Sequence, residues 1–425
     1  MIYVVQRGDT LAGVAAAFGL NLQLLILENG ITAPDRLTPG QALLVLLPRR
    51  THTVQAGDTL YGIGRAYGSS LRQLYRLNPW LNGLPELNPG QVIVLEYEQE
   101  PRGSLVINGY CYTYIDIALL RGVLPYLTAI QPFTYGFTAE GYLIDIDDRE
   151  ILQTARAVGT QALMVVAPLN TEGGFGSDLI TATLNNPEAN ARLREAIVQR
   201  VLARNYIGAD LDFEYVRAED AQVYESFATQ LGQRLRQYGR ILSLALAPKY
   251  YAEQRGLLYE GHDYRALGAA ADLTLLMTYE WGYTYGPPLA VAPLYEVRRV
   301  LEYGLTEIPA QKIIMGLPNY GYDWVLPYEE GRAARSLSTQ QALDLAWLYG
   351  AEISYDESAQ APWFRYTTPE GVRHEVWFED VRSLQAKLDL AAELGIRGVG
   401  FWTVNRPFTN GLLLLGTQYE PQVLP

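Results

Sequence analysis

The chain holds one cysteine, Cys111, among 425 residues, so no internal disulfide can form. Cys111 sits in the apolar run LVINGYCY (105–112) and reads as a small buried residue rather than a nucleophile. Histidine is scarce too. His52, His262 and His374 lie far apart, without metal-ligand spacing, so neither a metal nor a cofactor is expected. No apolar run approaches the ~18 residues of a membrane-crossing helix. The start, MIYVVQRGDTL, lacks a basic stretch followed by an apolar one, so no signal peptide is expected. Basic residues are in deficit: 33 Lys and Arg against 46 Asp and Glu leave a net charge of -13. Nucleic acid is an unfavourable partner for such a chain, because phosphates need a basic face.

What is abundant is aromatic surface. There are 31 Tyr and 7 Trp, and flat aromatic faces suit the C–H faces of sugar rings. The front of the chain also repeats itself at a period of about 49 residues. YVVQRGDTLAGVAAAFGL returns as HTVQAGDTLYGIGRAYGS, Asn29 returns as Asn78, and PGQ at 39–41 returns at 89–91. Each copy reads as a short strand, a Gly-Asp-Thr turn that caps a helix, a second helix, a PGQ turn and a closing strand paired with the first. These copies resemble LysM modules, over residues 1–48 and 51–97. The resemblance implies binding of the N-acetylglucosamine backbone of peptidoglycan or chitin. It places sugar contacts at Gly8, Asp9, Thr10 and Asn29, and at Gly57, Asp58, Thr59 and Asn78. How the pair is oriented on the rest of the chain, folded back or splayed away, stays open at this level.

After a short polar linker, residues 104–425 alternate apolar strands with helical stretches. Eight strand candidates, beginning at LVINGYCY and ending at GVGFWTV (398–404), predict an α/β fold of the (β/α)8 TIM-barrel type. A doubly wound sheet would carry a Gly-rich phosphate loop after an early strand, and none is present. A stretch at about 325–380 breaks the alternation and reads as a small α+β insertion after strand seven. Chemistry is expected at the C-terminal ends of the strands. There the fourth candidate, GADLDFEY (208–215), sets Asp210, Asp212 and Glu214 at a spacing of two, on one face. Burying three acids adds little stability and calls for a compensating role.

IGADLDFE resembles the DGxDxDxE signature of glycoside hydrolase family 18, with Ile207 where the first Asp stands. MTYEW (277–281) resembles its MxYD motif, with Glu280 for Asp, and GVGFWTV its strand-eight motif, with Trp402 as a floor. The resemblance implies a retaining hydrolase in which the substrate's own N-acetyl group attacks the anomeric carbon. Glu214 would be the acid, Asp212 would orient the acetamido group and Tyr279 would bond its carbonyl. Asp210, Tyr135, Met277, Glu280, Asn319 and Trp402 are the expected substrate contacts. With LysM modules in front, the chain is most similar in plan to the spore germination hydrolases of endospore-forming bacteria. MTYEWGYTYGPP, YDESAQAPWF and HEVWFED carry that likeness. It implies an N-acetylglucosaminidase of cortex peptidoglycan that cuts beside a muramic residue or muramic lactam, monomeric, free of membrane and deposited around the spore from the mother cell. The alternatives are a chitinase and a non-catalytic wall-binding protein.

Overall fold

Each LysM-like module closes on a turn that needs glycine. Gly8 and Gly57 hold φ of +94° and +90°, a conformation that strains any residue with a Cβ. Thr10 and Thr59 then accept from the Gly13 and Gly62 amides, each at 3.0 Å, and cap the first helix of their modules. The computed structural model describes residues 1–169 and 176–425. In the first module, β1 (Ile2–Val4) and β2 (Ala42–Leu44) pair antiparallel around α1 (Leu11–Ala17) and α2 (Leu22–Glu28). In the second, β3 (Pro48–Thr53) and β4 (Val92–Tyr97) pair likewise around α3 (Leu60–Tyr67) and α4 (Leu71–Leu77).

The barrel begins with β5 (Gly103–Tyr112) and β6 (Ala129–Phe133), followed by a small hairpin of β7 (Gly136–Phe137) and β8 (Leu143–Ile144). It continues through β9 (Gln161–Val166), β10 (Gly208–Leu211), β11 (Ile241–Leu246), β12 (Leu273–Leu276) and β13 (Ile313–Pro318). The insertion contributes β14 (Tyr320–Leu326), β15 (Arg335–Ser338), β16 (Ser354–Asp356), β17 (Ala361–Thr367) and β18 (Arg373–Trp377), all antiparallel, with a helix at Thr339–Leu348. β19 (Gly398–Trp402) pairs in parallel with both β13 and β5, which closes an eight-stranded parallel barrel. A last strand, β20 (Tyr419–Pro421), adds to the foot of β5.

Both faces of the barrel strands are buried, and period-two alternation sorts the side chains. In β11, Leu242, Leu244 and Leu246 pack outward under the helices, while Ile241 and Ala245 fill the barrel interior. The strands stop earlier than their apolar pattern suggests. β10 ends at Leu211 rather than Tyr215, and β12 at Leu276 rather than Trp281. Beyond Leu211 one ladder bond persists, from the Asp212 amide to the Val166 carbonyl (3.0 Å). The chain then turns away at Tyr215, which has φ of +56°. The acids therefore sit just past the ladder, at the barrel mouth.

The two modules fold back onto the barrel. In module one, Gly40 of the PGQ turn has φ of +86°, and a Cβ there would come within 1.9 Å of the Ile353 carbonyl oxygen. The Ile353 amide donates to Pro39 (2.9 Å), and Arg382 donates to the Gly40 carbonyl (3.1 Å). In module two, Arg72 donates to the carbonyls of Pro125 (3.0 Å), Gly159 (3.3 Å) and Leu127, and Arg76 pairs with Glu420. Leu44, Val94 and Tyr97 of the modules join the same apolar core as the barrel's outer layer.

Candidate active site

The three acids at the end of β10 and just beyond it line up as the spacing of two requires. Asp210 points into the barrel, fully buried, and accepts from the Tyr110 hydroxyl at 2.7 Å. Asp212 and Glu214 follow on the same side and line an open cavity of about 570 Å³ at the barrel mouth. Met277, Tyr279 and Glu280 after β12 and Trp402 at the end of β19 line it too. Trp402 is held edge-on by Phe133 (centroids 4.9 Å apart), Tyr110 (5.6 Å) and Tyr112 (5.8 Å). Glu280 adopts φ of +66°, and its Oε1 accepts from the hydroxyls of Tyr320 (3.0 Å) and Tyr322 (3.1 Å), both on β14 of the insertion.

Burial dominates the electrostatics. It pushes the Asp212 carboxyl well above the usual range, with the charges of Glu214 and Asp210 acting the same way. Burial likewise raises Asp210, against the opposing hydrogen bonds of Ser243, Tyr110 and Gln131. Glu214 is raised to about 7, chiefly by desolvation and then by the charge of Glu280. A carboxyl with that value holds its proton near neutral pH and can still give it up, as a general acid and base must. Glu280→Gln removes one charge that opposes ionisation of Glu214. The alkaline limb of the kcat/KM–pH profile is expected to move to lower pH in that variant.

Three expected contacts lie outside the cavity lining: Asp210, fully buried in the barrel on the Tyr110 hydroxyl, and two more. Tyr135 is fully buried, and its hydroxyl donates to Asp148 (2.5 Å) in a cluster with Tyr206 and Arg204 behind β6, so it is corrected to a structural residue. It follows the end of β6, where the chain turns outward into the β7–β8 hairpin. Asn319 is buried beside the cavity, outside its lining, and donates to the Arg406 carbonyl at 3.3 Å. It ties strand seven to the loop after strand eight.

The side chains of Asn29 and Asn78 are engaged within their own modules. Each donates to two backbone carbonyls and accepts one amide, bracing helix against strand: Leu25 and Leu44 for Asn29, Leu74 and Val94 for Asn78, all within 2.7–2.9 Å. Asp9 and Asp58 accept their own turn's Gln6 and Gln55 amides (2.7 and 2.8 Å) and shape the loop. Gly8, Thr10, Gly57 and Thr59 remain exposed, so these loops offer backbone rather than free side chains.

Sequence reasoning missed Tyr110, Tyr112, Tyr215, Tyr259 and Tyr283, which share the cavity wall. Tyr110 and Tyr112 stand two apart at the end of β5, the same signal that marked the acids. His262 shows no metal-ligand spacing in the sequence, and its role is of another kind. It is fully buried, accepts the Ala247 amide on Nδ1 (2.9 Å) and donates from Nε2 to the Phe213 carbonyl (3.0 Å). It thereby pins the backbone between Asp212 and Glu214. Burial lowers its pKa to about 4, which keeps the ring neutral for this double role. Among the described residues no His, Cys, Asp and Glu group could hold a metal.

The sequence profile of Glycosyl hydrolases family 18 matches residues 172–406, and that of the LysM domain matches 3–45 and 52–96. The chain belongs to family 18. It is a glycoside hydrolase with two LysM modules and a TIM-barrel catalytic domain. It is 39% identical to a cortical fragment-lytic enzyme of Bacillus subtilis, over 99% of this chain and 98% of that protein. The crystal structure of the spore cortex-lytic enzyme SleL of Bacillus megaterium superposes with a TM-score of 0.83 at 35% identity, covering 99% of this chain and 98% of that one. A chitinase of Chromobacterium violaceum, 25% identical, aligns with 74% of this chain and 98% of its own at a TM-score of 0.70. Family 18 enzymes work by substrate-assisted catalysis with retention.

Proposed function

We propose that this enzyme is an N-acetylglucosaminidase of spore cortex peptidoglycan, acting on fragments of cortex that carry muramic residues. One observation carries the reading: Glu214, raised to about 7, shares a cavity with Asp212 and Tyr279, while no second free carboxylate is needed as nucleophile. Glu214 protonates the leaving glycosidic oxygen. Asp212, kept from full ionisation by burial and its neighbours, receives the acetamido N–H and steers the carbonyl oxygen onto the anomeric carbon. The Tyr279 hydroxyl, also lining the cavity, bonds that carbonyl oxygen as charge develops on it. Trp402 supports the sugar face. Water then opens the oxazolinium, with Glu214 as the base, and configuration is retained. Similarity to cortex-lytic enzymes over 98% of their length, LysM modules included, supports cortex rather than chitin as the substrate.

Mass spectrometry of the products tests this. Cortex fragments released by a separate lytic enzyme should gain new reducing-end N-acetylglucosamine, and at a higher kcat/KM than chitin hexamer is cut. Cleavage of the hexamer alone would transfer the enzyme to the chitinases.

A further inference from the structure

Among the described residues, the cavity wall carries Asp212, Glu214 and Glu280 and no cation. A cation stands immediately outside it. Val404 donates its amide to the Tyr110 carbonyl (2.9 Å), and the Asn405 side chain accepts the Tyr112 amide (2.9 Å). The loop after β19 is thus zipped to the end of β5, which sets Arg406 beside Tyr112. The guanidinium lies over the Tyr320 ring (5.4 Å), and its Nη2 donates to Ser336 (2.8 Å). Its Nη1 is buried and has no hydrogen-bond partner among the described residues, no carboxylate pairs with it there, and the partly exposed side chain must turn outward for a ligand to reach it. A buried donor left idle on a charged group is unfavourable unless a ligand completes it. Among ligand groups, a carboxylate matches the guanidinium fork.

The same edge carries a platform. Tyr114 is 77% exposed, yet its ring lies parallel to Tyr112, at 5.2 Å and 5°. Tyr112 in turn meets Trp402 at 5.8 Å and 67°. A row of rings therefore leads from the cavity floor into solvent, and its outermost member is held flat with one face open.

We infer that Tyr112, Tyr114 and Arg406 form an outer subsite for a sugar bearing a carboxylate, with the ring on the tyrosine face and the carboxylate on Arg406. This inference rests on the peptidoglycan reading. A muramic residue with a free lactyl group or a peptide stem supplies such a carboxylate, and chitin supplies none. The subsite makes the enzyme read an anionic glycan through one cation set beside an acidic cavity that would otherwise repel it.

Calorimetric binding to the full-length Glu214→Gln protein tests the inference apart from turnover. The probes are a muropeptide tetrasaccharide with free carboxylates and chitin tetramer, with and without Arg406→Gln. The muropeptide-to-chitin affinity ratio is expected to fall about tenfold on Arg406→Gln, and Arg406→Lys to recover part of it. Tyr114→Ala is expected to weaken both ligands several-fold. Equal loss for both ligands on Arg406→Gln, or no change in the ratio, overturns the subsite. Failure of the Glu214 enzyme to cut cortex fragments instead overturns the peptidoglycan reading, whatever the ratio does.

Discussion

Glu214→Gln is expected to lower kcat on cortex fragments by ~1000-fold, within the range that general acid–base catalysis contributes. The variant keeps the shape and hydrogen-bonding length of the side chain and loses only the proton it transfers. Substrate affinity should hold, because the acetamido contacts belong to Asp212 and Tyr279. A second consequence separates this site from an ordinary buried acid. The folded protein holds the Glu214 proton up to about 7, whereas the unfolded chain releases it near the model-compound value of 4.5. Between those values the folded state binds more protons, so Glu214 makes stability fall as pH rises. Glu214→Gln removes that loss. Its melting temperature should match the parent near pH 4 and exceed it at pH 8. Thermal unfolding at the two pH values, beside single-turnover rates, checks both halves. A variant that is inactive and also less stable at pH 8 would mark Glu214 as a structural acid.

Lys387→Met is expected to be strongly destabilising although it lies away from the catalytic site. Lys387 and Glu379 are 1% and 2% exposed and pair at 2.8 Å, so the substitution strands a carboxylate in the core. Breaking such a pair from one side costs about 3–5 kcal/mol. Burial already raises the Glu379 carboxyl, with Lys387 holding it down. Without the lysine, Glu379 takes up a proton, so the penalty should be larger at pH 8 than at pH 5. Adding Glu379→Gln should recover most of the lost stability, which a double-mutant cycle by denaturant unfolding would measure. The pair sits where the insertion returns to the barrel. The Glu379 carbonyl accepts from Thr339 of the insertion helix (2.8 Å), and Asp380 caps the next helix, Val381–Leu394. Because Tyr320 and Tyr322 of the insertion hold Glu280, loosening this joint should also raise KM.

The barrel and its acids were legible because period-two patterns act within one strand. Asp210, Asp212 and Glu214 declare a common face wherever β10 lies, and Trp402 and Tyr279 stand at strand ends by the same logic. Thr10 and Thr59 declare caps, since a cap acts within three residues of itself. Strand ends were overestimated because apolar sequence runs on past Leu211 into residues that close the barrel mouth without joining its ladder.

What the sequence by itself determined, then, is local or periodic: the repeat, the strand–helix alternation and the acid face. Tertiary structure decided what depends on neighbours distant in the chain. It gave Tyr135 to Asp148 rather than to the cavity. It spent Asn29 and Asn78 on the strand edges of their own modules. It turned His262 from an isolated histidine into a clamp on the Phe213 carbonyl. It pressed the Gly40 turn against Ile353, which no feature of PGQ announces, since its twin Gly90 has nothing within 4 Å. The physical reason is common to all four. A side chain's partner is set by which strands close the barrel and which surfaces the modules cover. Those contacts cross between strands, loops and modules, beyond the two-residue and helical spacings that a sequence pattern displays.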